Sequence, residues 1–192
     1  MKKIMSKYKR KKSERQKQII VSVILIGILL VSTVGFAFQG TDNSEENNQN
    51  TIKYNGYDFI EQSGYWLTEI QDVSFIFQYN PEQIQNTNSF INLLDNYYDK
   101  PLYIHSQNSL AESEIYSNLG QLVVRVQRAC LEDTECDYED VPIKTCEDNF
   151  IIIEEAEENN IIQDGNCVYI QGSEQELIKL ADEFLFKILG IN

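Results

Sequence analysis

From Ile52 to Tyr79 apolar residues recur with a period close to two. Ile52, Tyr54, Tyr57 and Phe59 sit around Asn55-Gly56, Ser63-Gly64 interrupts the run, Tyr65 to Ile70 follows, and Val73, Phe75, Phe77 and Tyr79 alternate with polar or smaller partners. Alternation sends successive side chains to opposite faces of a strand, and the two glycine dipeptides are turn signals, so the stretch predicts an antiparallel meander with one buried face. Asn80-Pro81 stops the last strand, and Ile84, Ile91, Leu94 and Tyr98, at intervals near 3.6, predict a helix ended by Pro101. Leu102 to Ser106 reads as a short strand. Ser109 and Glu112 form a capping box ahead of Ile115, Leu119, Leu122, Val126 and Cys130, whose steps of 4, 3, 4 and 4 predict an amphipathic helix. The stretch from Glu132 to Asn149 is a loop. Phe150 to Ala156 and Asn166 to Gln171 read as strands and hairpin partners, with a further short pairing open at Ile161-Ile162 before Asp164-Gly165. A second capping box, Ser173 and Glu176, precedes Leu177, Leu180, Ala181, Phe184, Leu185 and Ile188, one helix face that runs up to Gly190. The order strand, strand, strand, helix, strand, helix, strand, strand, helix predicts an α+β domain, a mainly antiparallel sheet with helices on one face.

Ahead of that domain the pattern changes. Ile19 to Phe38 is a twenty-residue run without a charge, fourteen of them Ile, Leu, Val or Phe. As a helix it is about 30 Å long, matching a bilayer core, and it reads as a single transmembrane helix. Residues 1–18 hold nine Lys or Arg against Glu14 alone, while the other 174 residues hold seven basic and 29 acidic side chains. Positive charge beside a span stays in the cytoplasm, so 1–18 is expected to be a cytoplasmic tail at the cell membrane and residues 39–192 extracytoplasmic. The competing reading is a cleaved signal peptide ending near Gly35-Phe36-Ala37; the long basic tail and full-length span favour a retained anchor. Residues 39–50, polar and acidic without an apolar side chain, form a flexible linker, and 51–192 is the extracytoplasmic domain.

The four cysteines, Cys130, Cys136, Cys146 and Cys167, fall on the side of the membrane where thiols oxidise, so two disulfides are expected. Their separations of five, nine and twenty intervening residues do not match the close pairs of zinc knuckles. Three connectivities are open. We favour Cys130 with Cys136 and Cys146 with Cys167, the second pair bracketing the hairpin expected between 150 and 171.

Charge and motifs narrow the chemistry. The formal charge of -14, with the basic residues concentrated in the tail, argues against nucleic acid as a partner. His105 is the only histidine, no Gly-x-Ser-x-Gly elbow or glycine-rich phosphate loop is present, and no cofactor is implied. A half-buried structural role for His105 beside Tyr103 on one strand face is favoured over a general base. Twelve carboxylates from Glu132 to Glu158 face only Lys144, which makes weak calcium binding a possibility to test without an Asp-x-Asp-x-Asp-Gly loop to support it. Tyr54, Tyr57, Tyr65 and Trp66 are the candidate partner surface, a platform for a glycan or an envelope protein.

The segments Pro142-Ile143-Lys144-Thr145-Cys146, Asn166-Cys167-Val168-Tyr169-Ile170-Gln171-Gly172, Leu177, Ala181-Asp182-Glu183-Phe184 and Leu189-Gly190-Ile191 resemble the ending of a group of uncharacterised archaeal membrane-anchored proteins. That group has one N-terminal transmembrane helix and a C-terminal Cys-containing hairpin followed by a helix ending in Leu-Gly-Ile. The resemblance covers about the last 60 residues and implies an anchored envelope protein, with no particular chemistry. Taken together, the sequence is read as a single-pass membrane-anchored, disulfide-bonded extracytoplasmic binding or interaction domain of the cell envelope without a catalytic signature. The alternative is a membrane-anchored hydrolase that uses carboxylates and His105.

Overall fold

The computed structural model describes residues 50–192 apart from Asp133, Glu135 and Asp137. The basic tail, the expected span 19–38 and linker residues 39–49 lie outside the described residues, and among the described ones no helix is long and apolar enough to cross a membrane. Four strands, β1 (Thr51–Tyr54), β2 (Tyr57–Gln62), β3 (Tyr65–Ile70) and β4 (Val73–Phe77), form the expected antiparallel meander in sequential order. Asn55 and Gly56, with φ of 46° and 90°, make the tight turn of the first hairpin, so the opening segment is two strands. Ile52, Tyr54, Tyr57, Phe59, Trp66, Phe75 and Phe77 share the inner face; Phe59, Trp66, Phe75 and Phe77 are buried there.

A second, five-stranded sheet contains β5 (Pro101–Ser106), β6 (Arg125–Arg128), β9 (Asn149–Glu155), β10 (Asn160–Asp164) and β11 (Cys167–Gly172), in the order β10-β11-β9-β5-β6. Two short strands, β7 (Cys130–Leu131) and β8 (Ile143–Lys144), pair with each other. The helices α1 (Ser109–Leu119) and α2 (Leu177–Ile188) pack together on one face of the second sheet, and the meander covers them from the other side. The α+β class with antiparallel meander and helices is as expected, but the second sheet runs parallel from β11 through β9 and β5 to β6.

Three sequence expectations are corrected. First, Phe150 to Ala156 and Asn166 to Gln171 are not hairpin partners. The hairpin is β10–β11, turning at Gly165 with φ of 58°, and β11 lies between β10 and β9, parallel to β9 with Cys167 opposite Phe150. Second, the chain from Asn80 forms one 3-10 turn, Pro81–Gln83, in which Asn80 and Gln83 cap each other, and then leaves the helix. Asn86, Thr87, Asn88, Ser89 and Asn92 intervene between the apolar residues, and such side chains bond nearby main chain instead of supporting a helix: Asn88 N–H donates to Asn86 Oδ1 at 2.8 Å. Third, α1 ends at Leu119 and Gly120, not at Cys130; Val126 continues the apolar spacing as part of strand β6, which packs parallel to β5. The N-cap of α1 is Asn108, one residue before the expected Ser109, with Oδ1 accepting from Leu110 and Ala111 N–H at 3.1 and 2.9 Å. At α2 it is the Ser173 carbonyl, not a side-chain box, that accepts from Glu176 and Leu177.

α2 is buried on almost every side because it lies between the two sheets. Phe186 meets Phe59 edge-on at 5.7 Å and Phe77 at 4.5 Å from the meander, while Phe184 meets Tyr97 at 5.9 Å. Aromatic side chains of this size dominate core energetics, and tilted pairs add about 0.5–1.5 kcal/mol beyond burial. The helix stops in a Schellman motif, with Gly190 at φ 71° and the N–H of Ile191 donating to the Phe186 carbonyl at 2.8 Å. Asn55 of the first hairpin donates to the Ile191 carbonyl at 2.8 Å, which ties the meander to the end of the chain.

The free edge of β4 is closed by side chains. Glu114 and Asn118 on α1 and Gln121 in the turn that follows it lie on one stripe at spacings of four and three. Glu114 accepts from Gln78 N–H at 3.1 Å, Asn118 accepts from Ile76 N–H at 2.9 Å and donates to the Ile76 carbonyl at 2.7 Å, and Gln121 donates to the Ser74 carbonyl at 3.0 Å. Four helical residues rise about 6 Å and two strand residues about 6.7 Å, so a helix antiparallel to the strand meets its outward groups rung by rung. Asn118 is fully buried and pairs like a residue of a fifth strand. Replacing Asn118 by Leu is expected to strand both main-chain groups of Ile76, costing about 1–3 kcal/mol for each group left unsatisfied, whereas Gln121→Leu at the exposed end of the stripe should cost less; chemical denaturation of the two variants checks the order.

Both expected disulfides are present, Cys130–Cys136 and Cys146–Cys167, with Cα separations of 5.7 and 4.9 Å. Parallel pairing, not a hairpin, brings the second pair together: Asn166 N–H donates to the Cys146 carbonyl and Phe150 N–H to the Asn166 carbonyl, both at 3.0 Å, at the shared start of β9 and β11. The bonded cysteines and Leu131 cover the outer face of the second sheet, where Tyr103, Ala129, Phe150 and Ile152 form a smaller core. Converting Cys146 and Cys167 together to Ala should cost about 3 kcal/mol in the chain-entropy model, against about 2 for Cys130 and Cys136, with denaturant midpoints as the measure.

Candidate functional site

The meander has an outer face as well as a core face. Thr51, Ile60, Leu67 and Ile76 are direct cross-strand partners in one row across all four strands, on the side away from the helices. Ile60 and Ile76 are 39% and 43% exposed, and Tyr65, two positions from Leu67 on the same face, is 48% exposed. Nothing among the described residues covers this row, and polar residues flank it: Lys53 pairs with Asp58 at 3.0 Å, Gln62 stands opposite Tyr65, and Glu69 and Ser74 face one another. A contiguous apolar row on an open sheet face is where another surface gains most from excluding water.

The sequence-predicted surface divides between the two faces. Tyr54, Tyr57 and Trp66 lie on the inner face, Tyr54 and Tyr57 half-buried against the core and Trp66 buried. Of the four, Tyr65 alone points outward from the sheet, so they do not form one platform. Ile60, Leu67 and Ile76 were missed because an isolated Ile or Leu in a strand reads as core; the signal that finds them is the register, which puts all three in one row.

His105 is half-buried on the outer face of the second sheet, its ring centroid 5.2 Å from that of Tyr138. Tyr138 Oη accepts from Ser106 N–H at 3.1 Å and donates to the Ser106 carbonyl at 2.8 Å, and Arg128 lies over the Tyr138 ring while pairing with both carboxylate oxygens of Glu112 at 2.7 and 2.8 Å. The imidazole thus helps seat the acidic loop on β5, and among the described residues no carboxylate is hydrogen-bonded to it. Among those residues, too, no group of three or more His, Cys, Asp or Glu side chains converges as metal ligands; Asp133, Glu135 and Asp137 of the acidic loop lie outside them.

Two carboxyls missed by sequence reasoning sit at the junction of the helices and β4. Asp182 is fully buried on α2 and its Oδ2 accepts from Tyr79 N–H at 2.8 Å, next to the Glu114 bond to Gln78. Burial raises the proton affinity of both carboxyls, that of Asp182 well above the ordinary range, and the neighbouring Glu114 charge raises it further. Asp182 Oδ1 faces no donor. Both shifts favour the protonated carboxyl over the carboxylate at this junction. Glu183, next along and fully buried, accepts from Thr87 N–H and Oγ1 at 2.8 and 2.7 Å, and Lys187 beside it donates to Asn86 Oδ1 at 3.0 Å and the Ser89 carbonyl at 3.2 Å. No family model matches the chain, and neither the curated proteins nor the solved structures contain a match.

The pair sets a pH dependence with a definite sign. A carboxyl whose folded pKa exceeds its unfolded one contributes stability that is full below the unfolded value, near pH 4, and is lost as pH rises toward the folded value. Asp182→Asn keeps an acceptor for Tyr79 and supplies a permanent donor to Glu114. Melting temperatures measured from pH 4 to pH 8 should therefore decline less with rising pH in Asp182→Asn than in the wild type; identical slopes would show that the pair carries no proton.

Proposed function

We propose that this chain is a single-pass membrane-anchored, extracytoplasmic binding domain of the cell envelope, and that it meets its partner with the outer face of the meander. The observation that carries the reading is the aligned row of exposed Ile60, half-buried Leu67 and exposed Ile76 with Tyr65 beside it. Two further features support it: a span-length apolar run behind nine basic residues, and two disulfides of the kind that persist outside the cytoplasm. A protein surface fits the row better than a glycan does. Stacking on sugars wants a platform of rings, and Tyr65 is the one large ring on this face, whereas aliphatic side chains in a row suit an apolar patch on another envelope protein.

Location and binding are tested separately. A reporter enzyme that is active only outside the cytoplasm, fused after Asn192, should be active, and protease added to intact cells should remove the domain while sparing the basic tail. Activity from a cytoplasm-only reporter at that position would refute the topology. For binding, Ile60→Lys and Ile76→Lys place a charge on a face that is already open to solvent, so each should change stability by about 0.5 kcal/mol or less. In cross-linking within native membranes each should abolish the partner adduct that wild type forms. His105→Ala should leave that adduct intact.

A further inference from the structure

The domain from Thr51 to Asn192 carries seven Lys or Arg against 26 Asp or Glu, so a basic side chain has abundant carboxylates to meet. Five of the seven do meet one: Lys53 with Asp58, Arg128 with Glu112, Lys144 with Asp148, Lys179 with Glu176 and Lys187 with Glu183. Lys100 donates to the carbonyls of Asp95 and Asn96 at 3.4 and 3.0 Å, which compensates the end of a 3-10 turn. Arg125 is the exception. Among the described residues its one polar partner is the hydroxyl of Tyr103, to which Nη2 donates at 2.8 Å.

A second cation shares that phenol. Lys144 Nζ lies 4.3 Å from the centroid of the Tyr103 ring and pairs with Asp148 at 3.4 Å. The ring of Tyr103 is buried against Phe150 and the Cys146–Cys167 bond, so the hydroxyl is held in place beneath the two cations. Two positive groups held at one phenol repel each other, and the partial negative charge of a neutral phenol offsets little of that repulsion. The phenol oxygen accepts from Arg125, and its own proton remains to be donated. The result is three donors of a kind that carboxylates accept from, two of them charged, with no carboxylate on Arg125 among the described residues.

We propose that Arg125, Lys144 and the Tyr103 hydroxyl form a binding site for a single carboxylate group carried on an otherwise neutral molecule. The restriction to one charge follows from the rest of the domain. Its excess of acidic residues repels polyanions at long range, so attraction has to come from short-range donors, and a monovalent group incurs the least repulsion. The same two cations hold the Tyr103 phenol below the ordinary tyrosine range, Arg125 acting first and Lys144 second. A bound carboxylate neutralises them and favours the protonated phenol, so occupancy should move the Tyr103 titration upward.

The test uses the full chain in nanodiscs of zwitterionic lipid, with ¹³Cζ-labelled tyrosine and the Tyr103 signal assigned by its loss in Tyr103→Phe. Sodium acetate and sodium D-glucuronate are added at constant ionic strength against sodium chloride. Each carboxylate should shift the Tyr103 signal saturably with a midpoint in the millimolar range, leave the buried Tyr97 signal in place, and raise the Tyr103 titration. A tighter midpoint for glucuronate than for acetate assigns the carboxylate to a sugar acid; equal midpoints leave the assignment at the bare carboxylate. Arg125→Gln should weaken the midpoint at least tenfold, and Lys144→Gln serves if that variant fails to keep the Tyr97 signal. A chloride response equal to that of acetate, or an unchanged midpoint in the folded variant, overturns the site. Tighter binding of inorganic phosphate than of either carboxylate overturns its restriction to one charge.

Discussion

The unpaired edge of β4 is the constraint around which this domain is arranged. A meander of four strands ends in an edge whose N–H and C=O groups must be exposed, paired with another strand or met by side chains, and here the edge lies inside the protein. Glu114 and Asn118 meet it from α1 and Gln121 from the turn that follows, and Asp182 meets Tyr79, two residues past its end, from α2. This fixes both helices relative to the first sheet before any apolar contact is counted. It also removes an edge that could otherwise recruit a strand from another chain. Once the helices are held there, their opposite sides are available to β5, β9 and β11, and the second sheet has a place to pack.

Polar groups recur wherever α2 faces something other than a hydrophobic side chain. Asp182 serves Tyr79 beyond β4, while Glu183 and Lys187 serve residues 86–89, which pass the helix as irregular chain instead of forming a helix of their own. Replacing any of these residues by an apolar one removes a bond and also abandons a main-chain group in the interior, and the second loss is the larger. The buried acid pair is the extreme case. Burial favours the protonated form of both its members, at the joint between the two helices and the meander.

What the sequence made legible follows from which signals are local. The meander was readable because Asn55-Gly56 and Ser63-Gly64 determine turns within a few residues and the intervening period is two. The disulfide pairing was also readable, although for a reason that did not hold: Cys146 and Cys167 meet at the shared start of two parallel strands, since β11 inserts between β10 and β9. That insertion is a long-range choice with no local mark. Ile84, Ile91, Leu94 and Tyr98 carried a helical spacing that their neighbours could not sustain, because Asn86 to Ser89 bond to Glu183, Lys187 and one another. Periodicity reports which side chains seek the core; whether the main chain between them can be helical is decided by where its own polar groups go.

The candidate surface shows the same limit from the other direction. Tyr54, Tyr57, Tyr65 and Trp66 are close in sequence and attractive by residue type, yet the pleat sends Tyr65 alone outward. Ile60, Leu67 and Ile76 are unremarkable one at a time, and they become a surface only through the register that aligns them across strands. Aromatic residues were overvalued as binding groups because they are also what a thin domain uses to fill the space between two sheets: Phe59, Phe77 and Phe186 meet there in one cluster. With helices occupying the inner face, large rings are drawn inward, and the open face is left to smaller aliphatic side chains. A binding face built on such a sheet is therefore recognised by its alignment across strands, not by the residue types it contains.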